Sequence, residues 1–307
     1  MKEGGEPGSE TEKKVRRGSG SGDGASRFVA SLVAAAIAET TTLPVDTTRV
    51  RLQVQKKGSG GRPPVYTSML QCAGHISRHE GARALFKGLQ PALLRQCSYT
   101  SIAIVLYEPI RNSMSNFTNE DEPSIGTRLL CGGTAGSIGI AICNPTEVIK
   151  TQMQAATGKQ RAVKSVFLDV WRKSGVKGMW AGVTPNMARC FIGNAAELGV
   201  YDHAKHFYSS RYDLPESAVH VAASTTAGVV SAVLSNPIDV VKTRLQHQAG
   251  HSAEYKGPLH CATTMVRHEG PLSLYKGFIP VLLRKVSWAT IFFVLYERLR
   301  AILNNGL

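Results

Sequence analysis

A chain of 307 residues has the length of two globular domains, but a threefold internal repeat overrides that division. Its net charge of +14, from 36 Lys and Arg against 22 Asp and Glu, suits an anionic membrane surface or anionic small molecules; aromatics at 7% and the absence of zinc spacing or a nucleic-acid-binding signature exclude nucleic acid as partner. The six cysteines (Cys72, Cys97, Cys131, Cys143, Cys190, Cys261) form no CxxC and read as reduced thiols of an intracellular protein, and without HExxH, GxSxG or a phosphate-binding loop an enzyme is disfavoured.

Residues 1–25, rich in Gly, Ser, Glu and Lys, are expected to be a disordered tail. The tail has no apolar core of a secretory signal, and Glu3, Glu6, Glu10 and Glu12 argue against a cleaved presequence, so targeting is expected to be internal. Phe28 to Val45 holds one charge, Glu39, in eighteen residues, long enough to cross a hydrocarbon core. A charged stripe through Gln55 continues that helix, residues 56–64 form a loop, and Tyr66 to His79 suits a short amphipathic helix. After the Glu80–Gly88 linker, a second apolar run from Leu89 to Tyr107 is interrupted by Arg95. The second unit repeats this order: Ile125 to Gln154, with Gly132, Gly133, Gly136 and Gly139 spaced for close helix approach, a linker ending at Gly182, and Val183 to Tyr201. The third runs Ala218 to Gln246, a linker ending at Gly277, and Phe278 to Tyr296. The expected fold is all-α: six transmembrane helices in three pseudo-threefold repeats, 26–118, 119–212 and 213–303, each with a short helix between its spans. A mean hydropathy of −0.09 is low for dry-cored spans but is tolerated by a polar-lined pathway.

One motif closes each odd span. Pro44-Val-Asp46-Thr-Thr-Arg49 through Gln53 returns as Pro145-Thr-Glu147-Val-Ile-Lys150 through Gln154, and as Pro237-Ile-Asp239-Val-Val-Lys242 through Gln246. Helical offsets of 3 and 7 place the acid, base and glutamine of each copy on one stripe. Three copies, each opened by a helix-kinking proline, favour a shared polar seam over a solvated helix end. A second set closes the even spans: Tyr107-Glu108 with Arg111, Tyr201-Asp202 with Lys205, and Tyr296-Glu297 with Arg300. Thirteen residues before each of those acids stands Arg95, Arg189 or Arg284, one repeat level ~20 Å from the helix end at ~1.5 Å per residue. An intramembrane arginine is costly and marks a functional site.

These spans and motifs resemble the mitochondrial carrier family from about residue 26 to 303. Pro91-Ala-Leu-Leu-Arg95-Gln-Cys-Ser-Tyr, Ala188-Arg189 through Glu197, and Leu283-Arg284-Lys-Val-Ser-Trp288 are similar to its branch of uncoupling proteins and dicarboxylate and oxoglutarate carriers. The resemblance implies that the short helices lie on the matrix side. It implies a matrix gate pairing Asp46–Lys150, Glu147–Lys242 and Asp239–Arg49, braced by Gln53, Gln154 and Gln246. It implies a cytoplasmic gate pairing Glu108–Lys205, Asp202–Arg300 and Glu297–Arg111, braced by Tyr107, Tyr201 and Tyr296. Substrate contacts are implied at Arg95, Arg189 with Cys190, and Arg284, and cardiolipin sites near Gly88, Gly182 and Gly277. Cys190 also reads as a packing residue. Glu39, seven residues before Asp46, is expected to face the pathway; it reads either as a carboxylate neutralised by a neighbour or as a proton carrier, and Glu197 either joins it or tunes Arg189. The second repeat departs from pattern at Gln152, Ser174 and Ala181, where the others have Arg51 and Arg244, Glu80 and Glu269, and Lys87 and Lys276.

The reading is a monomeric, multi-pass carrier of the mitochondrial inner membrane, without cofactor or metal. Three guanidinium forks suit a small anion with at least two acidic groups: a dicarboxylate or keto-carboxylate of the malate, oxoglutarate or oxaloacetate type, with phosphate or sulfate as conceivable counter-substrates. An uncoupling-type proton or anion leak is the alternative, although the stretch after Gln154 lacks the histidine pair of the thermogenic protein. A helical-repeat scaffold is the reading from another class.

Overall fold

A computed structural model describes residues 9–55, 66–118, 125–158, 161–212, 215–249, 251 and 254–305. Among them stand nine α-helices in a long–short–long order taken three times: α1 (Ser9–Val54), α2 (Met69–His79), α3 (Leu89–Thr118), α4 (Ile125–Ala155), α5 (Val163–Met179), α6 (Val183–Arg211), α7 (Glu216–Gln248), α8 (Pro258–Glu269) and α9 (Phe278–Asn305). The described residues include no strand. Of the tail expected over 1–25, residues 1–8 lie outside the described ones, and from Ser9 the backbone already belongs to α1. Once the apolar run beyond Phe28 has formed a helix, each residue added upstream gains a hydrogen bond without a new nucleation cost, which carries the helix into the Gly/Ser stretch.

The chain divides into two compact units, residues 1–42 with 286–307 and residues 43–285. The first holds the leading part of α1, where Ala30, Ala34, Ala38, Glu39 and Thr42 are buried, and the trailing part of α9, where Trp288, Phe292 and Tyr296 stack one turn apart. The second holds all the remaining helices.

Within the second unit α3 packs on α4, α6 on α7, and α4 on α6. The α4 glycines permit this approach. A Cβ on Gly133 would lie 2.3 Å from the Phe191 ring, one on Gly136 would meet Tyr99 Oη and Cys190 Sγ at 3.3 Å, and one on Gly139 the Tyr99 ring at 3.3 Å. The short helices each bury a pair of residues a turn apart, Cys72 and Ile76, Val166 and Val170, Cys261 and Met265, and α5 also buries Gly178 and Met179 at its far end. α2 is capped by Ser68, whose hydroxyl accepts from the Gln71 amide at 3.2 Å. Pro44, Pro145 and Pro237 sit inside α1, α4 and α7, one turn or less before each charged stripe.

Polarity is inverted relative to a water-soluble helical protein. Glu39, Asp46, Gln53, Lys150, Gln154, Asp239 and Gln246 are buried, whereas Leu94, Val105, Ile142, Val221, Leu234, Ile279 and Phe293 face outward. Such a surface is stable against lipid. The stretches Val29–Val54, Ala218–Gln248 and Pro271–Ile302 are each long and apolar enough to cross a membrane. α3 and α6 carry Arg95 and Gln96, and Arg189, Asn194 and Glu197, within their first fifteen or so residues, which dilutes their apolar runs.

Candidate functional site

The charged stripes of α1, α4 and α7 meet at one end of the second unit. Lys150 Nζ stands 2.7 Å from Asp46 Oδ2, Lys242 Nζ 2.5 Å from Glu147 Oε2, and Arg49 3.1 Å from Asp239 Oδ2. The glutamines lie beneath, each at most 1% exposed. Gln154 donates to Asp46 at 3.3 Å, Gln246 donates to Glu147 at 3.5 Å and accepts from Thr151 at 2.8 Å, and Gln53 accepts from Thr243 at 2.8 Å. Each glutamine also packs beneath a linker glycine of another repeat. Gly182, at φ 71°, shows the constraint: a Cβ there would meet Gln246 Cγ and the Lys242 carbonyl at 3.1 Å, so both backbone conformation and space require glycine. Gly88 over Gln154 and Gly277 over Gln53 repeat the arrangement.

The three arginines of the even helices reach the same acids. Arg95 lies 3.7 Å from Glu147, Arg189 3.3 Å from Asp239, and Arg284 3.3 Å from Asp46. Each carboxylate therefore sits between a base of another odd helix and an arginine of an even helix. Together they line a cavity of about 140 Å³. Lys285 lines the cavity too, and its Nζ donates to Ser231 Oγ at 3.4 Å. Sequence reasoning passed over it, although it follows Arg284 as Cys190 follows Arg189. Cys190 is half-buried, accepts from Asn194 at 3.7 Å, and its sulfur lies 3.3 Å from where a Cβ on Gly136 would stand. Glu197 is exposed on α6 and is not among the cavity-lining residues; Glu39 is buried in α1.

At the other helix ends Glu108, Arg111 and Asp202 are exposed, and no ion pair joins Glu108 to Lys205 among the described residues. The Tyr201 hydroxyl is taken by His220 Nδ1 at 2.5 Å. Tyr107 is half-buried; Glu297 and Arg300 are exposed and Tyr296 half-buried in the first unit.

A second layer of ion pairs, which sequence reasoning recorded only as departures from pattern, clips the ends of the odd helices. Glu80 binds Arg51 and takes Lys87 Nζ at 2.6 Å; Arg51 goes on to the Gln154 carbonyl at 3.1 Å and Lys87 to the Gly158 carbonyl at 2.6 Å. Glu269 binds Arg244 and takes Lys276 at 2.5 Å, and Arg244 reaches the Gln53 carbonyl at 3.1 Å. The Arg51 hydrogen bond holds the Glu80 carboxyl at about 2 against an ordinary 4.5, with burial opposing and Lys87 adding to it. Burial works to raise Glu269, but Arg244 and Lys276 outweigh it and the carboxyl lies below its ordinary value. In the second repeat neutral groups take the same places: Gln152 donates to the Gln246 and His247 carbonyls at 2.8 and 2.6 Å, and Ser174 to the Ala249 carbonyl at 2.6 Å.

A helical chain with apolar outer faces and a buried cavity ringed by cations and acids is a membrane transporter in class. The chain belongs to the mitochondrial carrier family: the family model described as mitochondrial carrier protein matches it three times, over residues 22–118, 121–212 and 215–307. It is 36% identical over 281 residues to mitochondrial uncoupling protein 1 of Arabidopsis thaliana, covering 88% of this chain and 91% of the relative. It is 35% identical over 286 residues to mitochondrial uncoupling protein 3 of the same plant, covering 89% and 93%. With the putative mitochondrial transporter UCP3 of Mus musculus it shares 35% over 282 residues, covering 89% and 91%. The protein is a multi-pass protein of the mitochondrial inner membrane, and the members of its family are transporters.

Proposed function

We propose that the protein exchanges small di- or keto-carboxylates by alternating access, with Arg95, Arg189 and Arg284 as the cargo site and the Asp46–Lys150, Glu147–Lys242 and Asp239–Arg49 pairs as the matrix gate. One observation carries this reading: each arginine already holds one gate carboxylate at 3.3 to 3.7 Å. A cargo carboxylate is chemically the same partner. As it takes a guanidinium fork, the gate acid loses one of its two cations, and the ion pair below becomes easier to hydrate and separate. Cargo binding thus loosens the gate that must open next. A neutral molecule or a monocarboxylate could release one acid at most. Lys285 adds a fourth cation beside the arginines, which favours cargo with more than one negative charge.

The residues of the cytoplasmic gate, Glu108, Arg111, Asp202, Lys205, Glu297 and Arg300 with their tyrosines, would close when the matrix pairs part. A monomer with cardiolipin against the helix starts at Gly88, Gly182 and Gly277 completes the reading. The test is uptake of labelled malate, oxoglutarate, phosphate, sulfate, aspartate or ADP by liposomes carrying the purified protein. Exchange of a dicarboxylate supports the proposal, and exchange of ADP or aspartate alone would sink it.

The relatives named as uncoupling proteins favour a second reading, a proton or anion leak in which buried Glu39 carries the proton and Glu197 assists. Proton flux into liposomes with no exchangeable anion inside, lost in Glu39→Gln, would select it.

A further inference from the structure

Lys285 breaks the threefold pattern at the level of the central arginines. The residue after each arginine is Gln96 in the first repeat, Cys190 in the second and Lys285 in the third. Gln96 accepts from its neighbour Arg95 at 3.4 Å and Cys190 from Asn194 at 3.7 Å, so those two places hold neutral acceptors. The third place holds a cation, and of the three residues it is Lys285 that lines the central cavity.

Its amine is positioned without being neutralised. Nζ donates to Ser231 Oγ at 3.4 Å, and the fully buried Ser231 gives its own proton to the Gly193 carbonyl at 3.1 Å. A hydroxyl can orient an ammonium group but leaves its charge intact. Among the described residues Lys285 makes no ion pair. The charges of Glu197 and Asp239 reach it through space, but Asp239 is already paired with Arg49 and Arg189. The three arginines differ, because each holds a gate carboxylate at 3.3 to 3.7 Å and must exchange it for cargo. Lys285 is solvent-accessible and can meet an anion without giving up an internal carboxylate. Its hydrogen bond also sets a height. Ser231 stands eight residues before Asp239 on α7, about 12 Å along a straight axis at ~1.5 Å per residue, on the side away from the gate pairs. Arg284 turns instead to Asp46 on α1, so consecutive residues of α9 serve different levels. An anion gripped by the arginines beside the gate acids therefore has a further cation above it.

We propose, on the carboxylate-exchange reading above, that Lys285 reads a third anionic group of the cargo, set apart from those held by the arginines. The site then prefers a trianion to a dianion of the same length, because the extra carboxylate gains a charge-assisted hydrogen bond. Tricarballylate and glutarate make the test, since they share one carbon backbone and differ by the central carboxylate. The full chain in liposomes is given each at equal, sub-saturating concentration, and the ratio of initial uptake rates is the preference. A ratio taken within one preparation does not depend on how much of a variant is correctly folded. The parent should favour tricarballylate at least tenfold, and K285Q should bring the ratio to about one. For a variant too slow to transport, the same comparison is read from the rise in Tm that each anion gives in detergent. A K285Q ratio equal to that of the parent overturns the proposal. Glutarate uptake by the parent with no preference for tricarballylate overturns it too, and leaves the carboxylate reading standing. Uptake of neither anion brings down both.

Discussion

The inner ring of acid–base pairs and the outer clips around it obey different symmetry. In the ring, all three repeats supply an acid, a base and a glutamine, and every acid has a base from another odd helix at 2.5 to 3.1 Å. In the clips, two repeats use an arginine, a glutamate and a lysine, while the second does the work with Gln152 and Ser174. The partner explains the difference. A clip binds backbone carbonyls at a helix end, and an amide or hydroxyl donor satisfies a carbonyl as well as a cation does. On the proposed mechanism the ring parts and faces water with each transport cycle, and only charges gain enough hydration to make the separated state accessible.

Breaking the ring from above should have the largest effect. Arg284→Gln removes a charge-assisted fork of ~2–3 kcal/mol, so liposome uptake should fall about a hundredfold; rates within twofold of the parent would take Arg284 out of the cargo site. Lys242→Ala comes next, since Glu147 is then left with Arg95 at 3.7 Å. Thermal unfolding in detergent should register ~3–5 kcal/mol of lost stability, and the charge swap E147K/K242E should recover most of it. A swap no better than the single change would argue against a direct pair.

The clips should be cheaper to break, and unequally so. Glu80→Gln is expected to cost ~1–3 kcal/mol by leaving two cations on carbonyls alone. The effect is pH-dependent with a definite sign. Because Glu80 lies at about 2 in the folded protein against 4.5, its contribution is full above about pH 4.5 and fades as pH falls toward 2. Parent and E80Q unfolding curves should therefore converge across that window, and parallel curves would contradict the clip. Ser174→Ala deletes one neutral hydrogen bond, for ~1 kcal/mol and with no such pH dependence. If it matched E80Q in size and pH profile, the two kinds of clip would not differ as described.

Much of this was legible before any coordinates. The period of the helix puts Asp46, Arg49 and Gln53 on one stripe whatever the fold, and the spacing of the apolar runs counts the helices. Lys285 was missed because it sits on an apolar-looking stretch one residue past a more conspicuous arginine. The clips were seen only as substitutions at Gln152, Ser174 and Ala181, since nothing local says that Glu80 will meet Arg51 twenty-nine positions upstream.

Local periodicity, composition and repetition belong to the sequence alone, because helix pitch and the cost of apolar exposure act on neighbours along the chain: they define the all-helical class, the three repeats, the family and the stripes of charge. The partners of the acids were implied by the family resemblance; tertiary structure decided that the arginines reach the acids of the odd helices, and that Lys285 turns to Ser231 of α7. Those outcomes depend on distances between segments far apart in the chain, where packing and the reach of a side chain, not its place in the chain, determine the partner.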